Sequence, residues 1–331
     1  MRAAYYTELG AAADVLRVGD VETPEPGPGE IQIKIQASGV NPSDSKSRLN
    51  GRGGSMGFDR IIPHSDGAGV ISSVGDGIDA GLIGRSAWVM NAQYFHASGT
   101  AAEYVVLPRN YVMPLPGPLA DKVSFAEAAC FGIPFMTARQ AIAHAGDVAG
   151  LTVLVQGGAG AVGHHAIQIA KRRGARVIAT VSSPEKAAYA SEAGADECLN
   201  YREDEYVDRL QALTGGRGAD RIIEVDVAAN GPLYGRILAP GGKVVIYGAG
   251  HPMANVPGGQ FIPRQATLQW FLVYEISDAD RLAGAAELNA MLADGALKTT
   301  IAERFSLDNI VAAHEMVERA AHIGNVVLEI G

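Results

Sequence analysis

Three glycines in this chain are spaced for phosphate chemistry. Gly158, Gly160 and Gly163 fit G-x-G-x-x-G, directly after the apolar run Val153, Leu154, Val155 and directly before a helix pattern from His164 to Arg173. In that strand–loop–helix setting the first glycine permits a tight turn. The second lets backbone approach a pyrophosphate, and the third lets the helix pack on the strand. Free N–H groups at the helix start, through Ala161 and Val162, then face the phosphates. A glycine-rich turn can also be only a turn; the flanking strand and helix favour a dinucleotide site.

The second strand of such a fold ends near the adenosine ribose, where an acid would bind the 2′-hydroxyl and select NAD. Here the strand pattern 176–181 ends in Ser182, Ser183, Pro184, Glu185 and Lys186. Serine hydroxyls can donate to a 2′-phosphate and Lys186 can neutralise it, whereas a carboxylate at the tip would repel it. The tip therefore points to NADP(H). Ser182 equally suits a helix N-cap before Pro184, and the two roles are compatible.

These residues need a scaffold that aligns strand ends. From Thr152 onward the patterns alternate, with strands at 152–156, 176–181, 220–225 and 243–248 and helices at 161–173 and 184–193. That order implies a parallel sheet wrapped by helices. The apolar run 268–274 reads as a closing strand, followed by a helix at about 278–293 and a final strand at 326–330. The first third is different. It is rich in glycine and proline, and period-two alternation at 30–36, with further candidates at 70–74 and 86–90, reads as an irregular all-β unit. The texture changes at Ser124, which has capping-box spacing to Glu127 and opens an Ala-rich helical stretch.

A length of 331 residues exceeds one ordinary core and suggests two domains. The net charge of -9 gives no electrostatic reason for a nucleic-acid or anionic-membrane partner. Cys130 and Cys198 are the two cysteines, too few for a disulfide framework and too far apart for a zinc motif; both read as small core residues. No secretory or membrane-spanning pattern is present, so a cytoplasmic protein is the expectation.

Several landmarks together resemble a known family. They are 37–44 with its Asn41-Pro42 pair, 63–70, the glycine loop 157–163, Gly241-Gly242-Lys243 and the C-terminal run 323–328. With these the chain resembles the medium-chain dehydrogenase/reductase superfamily, in its zinc-independent NADPH:quinone oxidoreductase (zeta-crystallin-like) branch, almost end to end. The resemblance implies an α/β protein: a GroES-like β-barrel catalytic domain plus a Rossmann doubly wound parallel-sheet domain, with the active site in the cleft. The expected boundaries are 1–123 for the first part of the catalytic domain, 124–275 for the nucleotide-binding domain and 276–331 for the return. It also implies cofactor contacts from Thr137, Tyr201, Tyr247, Gly248 and Asn325. Without the resemblance, Tyr201 would read as a half-buried loop aromatic.

Zinc enzymes of the superfamily use a cysteine and a His-Glu pair as metal ligands. The corresponding positions here read Asn41, Ser65 and Asp66, and no four-cysteine loop is present. A catalytic zinc needs about three protein ligands, so no metal is expected, and His64, one residue out of register, reads as structural. Without a Lewis acid, alcohol oxidation is hard. Reduction of a quinone or an electron-poor C=C bond needs less, because hydrogen-bond donors can stabilise the spread charge. Asn41 is the first candidate, for the nicotinamide ribose or a substrate oxygen; holding the Asn-Pro turn is its alternative role. The tyrosine that several family members carry after this element is absent. Lys46 or Arg48 could orient an anionic enolate, and Tyr94, His96 or solvent could supply the proton. Arg264 is a further substrate-side candidate.

The expected function is an NADPH-dependent quinone or enone reductase acting on a small molecule. The alternatives are a reductase of acyl-thioesters or other activated alkenes, with regions 50–60 and 91–100 setting pocket width, and an NADPH-binding sensor with little catalysis. The apolar run 268–274 is a poor exposed sheet edge. In the resembling family this strand pairs with its twin, so a homodimer is expected.

Overall fold

The computed structural model describes residues 1–331, which form two compact units. One comprises Met1–Ile133, Ala285–Asp294 and Thr299–Gly331; the other comprises Pro134–Gly284 and Gly295–Lys298.

The second unit is built on six parallel strands. Their spatial order is Glu197–Asn200, Arg176–Val181, Thr152–Val155, Ala219–Glu224, Leu238–Ile246 and Thr267–Trp270. Counted along the chain this is third, second, first, fourth, fifth, sixth. It is the doubly wound Rossmann arrangement, whose order reverses beside the first strand. Val153, Leu154, Val155, Val177, Ile178 and Ala179 are all fully buried, so both faces of the central strands are covered. The helices at Ala161–Arg172 and Pro184–Glu192 fall where their patterns put them. The helix Asp278–Ala293 does too. Two elements were not among those expected, the strand Glu197–Asn200 and the helix Tyr206–Leu213; the helix does carry apolar residues at helical spacing, Tyr206, Val207, Leu210 and Leu213. In the strand only Leu199 is buried, so a four-residue edge element shows no periodicity.

The closing strand is shorter than its apolar run. Pairing ends at Trp270 opposite Ile246, where the neighbouring strand itself ends, and a 3₁₀ turn follows at Val273–Glu275. Trp270 is 58% exposed and Leu272 49%.

The first unit is a GroES-like barrel sheet. Its spine is the long strand Glu30–Val40. Register shifts at Gln32/Ile33 and Ile35/Ala37 bend it against Asp66–Val74. The bend lets one strand serve two neighbours on its other edge. Tyr104–Pro108 pairs with residues 30–34, and Asn325–Glu329 pairs with residues 37–40. Chain end and chain start thus share one sheet. Ile31, Ile33, Ile35, Ile71, Val89, Val105 and Leu107 fill its interior. The unit is not all-β: helices at Pro42–Asn50 and Ile310–Arg319 pack on it, and a strand at Ile301–Ser306 runs parallel to the last one.

The capping box at Ser124 forms, with Ser124 Oγ accepting the Glu127 N–H and Glu127 Oε2 accepting the Ser124 N–H. The helix does not continue. Pro134 has no N–H to give, and Phe131–Phe135 is a π-turn before the helix Met136–Ala145.

Candidate active site

In the second unit the glycine loop lies at the carboxyl end of Thr152–Val155. The turn itself is made by Gly157, at φ 69°, rather than by Gly158. Gly158 is needed for contact, since a Cβ there would sit 2.7 Å from the Ala179 Cβ. At Gly163 it would lie 2.2 Å from the Gly157 carbonyl oxygen, so the helix start rests on the loop. Gly160 is exposed, and a Cβ would meet only that oxygen, at 3.4 Å. It is the position where a ligand can approach backbone. Thr180 ties the loop to the next strand: its carbonyl takes the Gly158 N–H, and its hydroxyl accepts from Gly157 and donates to Gln156 Oε1 at 2.7 Å. The first intrahelical bond runs from His164 N to Gly160 O. The N–H groups of Ala161, Val162 and Gly163 precede it, at the positive end of the helix dipole. This cradle fits a diphosphate.

The tip of Arg176–Val181 carries Ser182 and Ser183, both half-buried. The N-cap is Ser183, not Ser182: its Oγ accepts the Lys186 N–H at 3.2 Å, with Pro184 in the first turn. Tyr201 joins the same strand end through its N–H to the Val181 carbonyl, leaving its ring 47% exposed. At the end of Leu238–Ile246, Tyr247 donates its N–H to the Glu224 carbonyl, and Gly248 packs against the Val225 backbone. Because all six strands are parallel, these tips lie on one edge of the sheet. Thr137 is buried on the helix Met136–Ala145.

Two acids that carried no motif brace this edge. Glu224 is fully buried and accepts from Asn230 Nδ2, Tyr234 OH and the Asp226 N–H, at 2.9, 2.9 and 2.6 Å. Burial pushes its carboxyl up, and those donors pull it back. Asp226 Oδ1 accepts from Ala228, Ala229 and Gly250 backbone, fixing the loop after Tyr247. An acid pair ending an apolar strand was the available signal.

In the first unit Asn41 caps the helix Pro42–Asn50. Its N–H donates to Asp44 Oδ2 at 2.8 Å and its side-chain amide donates to Asp66 Oδ2 at 2.7 Å. Asp66 is fully buried and also accepts the Ile133 N–H at 2.9 Å. Burial holds the Asp66 carboxyl well above the usual range. The Ile133 N–H pulls it down, the Asp44 charge pushes it up, and the Asn41 amide pulls it down. Burial likewise pushes Asp44 up to about 7, against the pull of the Asn41 N–H and the Arg52 charge. Two neighbouring buried carboxyls cannot both ionise cheaply, and Asn41 bridges them.

Lys46 stands exposed on the same helix. Arg48 is not placed to orient an enolate: it is buried, donates to the Gly10 carbonyl and pairs with Glu318. Tyr94 is half-buried, 4.6 Å from Phe95 ring to ring, with the Arg52 guanidinium 4.8 Å above its ring. Asn325 begins the last strand, its amide nitrogen donating to the Thr300 carbonyl. In the second unit, Arg264 donates to the Leu238 carbonyl.

Comparison with known proteins agrees with this arrangement. An alcohol dehydrogenase GroES-like domain model matches residues 27–117, and a zinc-binding dehydrogenase model matches residues 161–288. A quinone oxidoreductase of Homo sapiens is 30% identical over 321 residues, spanning 96% of this chain and 94% of the relative. The chain belongs to the quinone oxidoreductase branch of the medium-chain dehydrogenase/reductase superfamily. Among solved structures, an NAD-dependent alcohol dehydrogenase is 29% identical with a TM-score of 0.91, covering 100% of both chains. A mycobacterial protein complexed with NADPH is 29% identical with a TM-score of 0.88, covering 99% of this chain and 100% of that one.

Zinc in this superfamily raises a question of fit. Of the positions read as Asn41, Ser65 and Asp66, only Asp66 is a strong ligand type, and its oxygens are engaged with Asn41 and Ile133. His64 turns elsewhere, at φ 77°. Its Nδ1 lies 2.8 Å from Ser38 Oγ and its Nε2 3.0 Å from His314 Nε2. No group of three or more His, Cys, Asp or Glu side chains is arranged to hold a metal ion. Burial lowers the His64 imidazole to about 3, so it stays neutral within the core. Cys130 is a core residue; Cys198 is only half-buried.

Proposed function

We propose that the protein is a zinc-independent, NADPH-dependent reductase of quinones or α,β-unsaturated carbonyl compounds. One observation carries this reading: at the place where zinc enzymes of the superfamily hold metal, Asn41 is hydrogen-bonded to a buried carboxyl. The reading is also supported by the quinone oxidoreductase relatives and by the structure complexed with NADPH.

NADP(H) is favoured over NAD(H), despite the similarity to an NAD-dependent enzyme, by the strand tip. Ser182, Ser183 and Lys186 offer donors and a positive charge where an NAD site would carry an acid. When bound, the reduced nicotinamide supplies a hydride equivalent to a quinone or to the β-carbon of a conjugated carbonyl. The protein's own part is to orient and to stabilise charge. The Asn41 amide, held by Asp66, is a pre-aimed donor for the oxyanion or the nicotinamide ribose. Tyr94, Lys46 or solvent returns the proton that completes the hydroquinone or saturated product. The exposed edge at Trp270 and Leu272 fits a homodimer paired along Thr267–Trp270.

The test is NADPH and NADH oxidation against a panel of quinones and enones, with and without chelator. The expected result is turnover with a clear NADPH preference and no chelator effect. Failure of the whole panel with both cofactors would remove the reading. Chelator-sensitive turnover would remove its metal-free part.

A further inference from the structure

A chain of buried hydrogen bonds runs through the first unit beside Asn41. His64 Nδ1 lies 2.8 Å from Ser38 Oγ, Ser38 Oγ lies 2.7 Å from Thr100 Oγ1, and Thr100 Oγ1 bonds the Asp66 carbonyl. On its other side His64 Nε2 is 3.0 Å from His314 Nε2, and His314 Nδ1 is 3.4 Å from Ser45 Oγ. Ser38, Ser45, His64, Thr100 and His314 are all buried. The two imidazole centroids are 5.1 Å apart with planes 24° from parallel, so the rings meet edge to edge, as an N–H···N bond requires. Burial lowers the His64 imidazole to about 3. Burial first, then the His64 and Arg48 charges, hold His314 well below the usual range. Both rings are therefore neutral at neutral pH, and each has one N–H to place. Donor counting leaves one arrangement. The Asp66 carbonyl only accepts, and Thr100 is much nearer to it than Ser38, at 3.5 Å, so Thr100 gives its single hydroxyl proton there. Ser38 must then donate to Thr100, and His64 must donate from Nδ1 to Ser38. The bare Nε2 of His64 accepts from His314 Nε2–H, and the bare Nδ1 of His314 accepts from Ser45.

Both ends of this chain return to Asn41. Ser45 follows Asp44 on the helix Pro42–Asn50, and Asp44 takes the Asn41 N–H at 2.8 Å. Asp66 takes the Asn41 side-chain amide at 2.7 Å. We propose that His64 and His314 are positioning residues for the Asn41 amide, closing a hydrogen-bonded circuit through Ser45, Ser38, Thr100 and Asp66 that fixes where the amide donates. This rests on the reductase reading for what the amide does and adds what aims it. The amide nitrogen has two hydrogens in one plane; Asp66 takes one, so the direction of the other follows from where Asp66 stands. Thr100 pins the backbone of Asp66, and the histidine pair pins Thr100 through Ser38. His64 stands at φ 77°, a region that residues other than glycine seldom occupy. Such strain persists where the surroundings over-determine it, and here both imidazole nitrogens are held. His314 comes from the far end of the chain, on the helix Ile310–Arg319, which is also tied to the helix Pro42–Asn50 by Arg48 and Glu318. That second tie holds the two helices together when the histidine is replaced.

The test combines kinetics with NMR on the full chain. With NADPH and a quinone, His314→Leu lowers kcat about 10-fold or more and moves both KM values less than about 3-fold. His314→Gln offers one donor and one acceptor without charge and recovers kcat to within about 3-fold of wild type. In an Asn41→Ala background the leucine substitution costs less than about 2-fold further, because the group it aims is gone. Thr100→Val cuts the circuit at its last link, matches the leucine variant, and replaces it if that variant does not fold. A glutamine variant as impaired as the leucine one, or losses that multiply in the double variant, would make the pair a packing feature and overturn the proposal. Nitrogen-15 spectra of histidine-labelled protein show His64 as the Nδ1–H tautomer and His314 as the Nε2–H tautomer; the reverse pair would disconnect Asp66 and overturn it too. If the wild type turns over no acceptor, the reductase reading falls while the positioning is still read directly. The Asn41 side-chain amide resonance, identified by its loss in Asn41→Ala, then shifts in His314→Leu and holds in His314→Gln. An Asn41 resonance unmoved by the leucine substitution overturns the proposal.

Discussion

The two candidate sites, one in each unit, are made of different material. In the second unit, the loop Gly157 to Gly163 presents backbone N–H groups, and its shape comes from missing side chains. In the first unit, the cluster of Asn41, Asp44 and Asp66 consists of side chains, positioned by bonds spanning up to 67 residues of sequence. A backbone site is specified locally, because a glycine is needed wherever a Cβ would strike a neighbouring turn. A side-chain site is specified by the whole fold. It carries buried titratable carboxyls, so it responds to pH and to single substitutions in ways the loop does not.

The largest expected effect tests the backbone side. Gly163→Ala pushes a methyl group against backbone that cannot yield, and should lower unfolding free energy by about 4 kcal/mol or more, read by denaturant titration. Gly160→Ala is its control. With room for the methyl group, it should leave stability within about 0.5 kcal/mol and weaken NADPH binding roughly 10-fold, by about 1.4 kcal/mol. Equal stability losses in the two variants would erase the distinction drawn between packing and ligand approach.

On the side-chain side, Asp66→Ala orphans the Asn41 amide and the Ile133 N–H together. It should cost about 3 kcal/mol in equilibrium unfolding. A loss under about 1 kcal/mol would mean that the cluster contributes little to the fold. Asp44 sharpens the point through pH. Its folded pKa of about 7 stands above the unfolded value near 3.8, so the folded state keeps a proton that the unfolded state releases. This group therefore lowers stability as pH rises from about 4 to 7, and its effect levels off above 7. Asp44→Asn does not titrate, so its stability relative to wild type should improve by about 3 kcal/mol between pH 4 and pH 7. A pH-independent difference between the two proteins would contradict the buried, proton-holding carboxyl.

The smallest effect belongs to the strand tip. Lys186→Ala should reduce the preference for NADPH over NADH about 10-fold, close to 1.4 kcal/mol, with little change in NADH binding. Parallel losses for both cofactors would mean that the lysine supports the helix rather than reading the 2′-phosphate.

Sequence and structure agree where the physics is local. The helices Ala161–Arg172, Pro184–Glu192 and Asp278–Ala293 announce themselves by periodicity, and the capping box at Ser124 by spacing. The Ala-rich stretch behind that box did not stay one helix, because Pro134 forces a π-turn. The edge strand Glu197–Asn200 was invisible since only Leu199 points into the core.

By itself the sequence determined the glycine loop, the serine pair at the strand tip and the alternation that builds the parallel sheet, since each depends on residues within one or two turns of each other. Only the tertiary structure decided that Asn41 is anchored to Asp66, that Arg48 is buried against Glu318, and that Arg52 reaches Tyr94 and Gln93. The physical reason is range. Cβ sterics and helix periodicity act between near neighbours in the chain, whereas burial and charge pairing depend on which distant segments the sheet brings side by side.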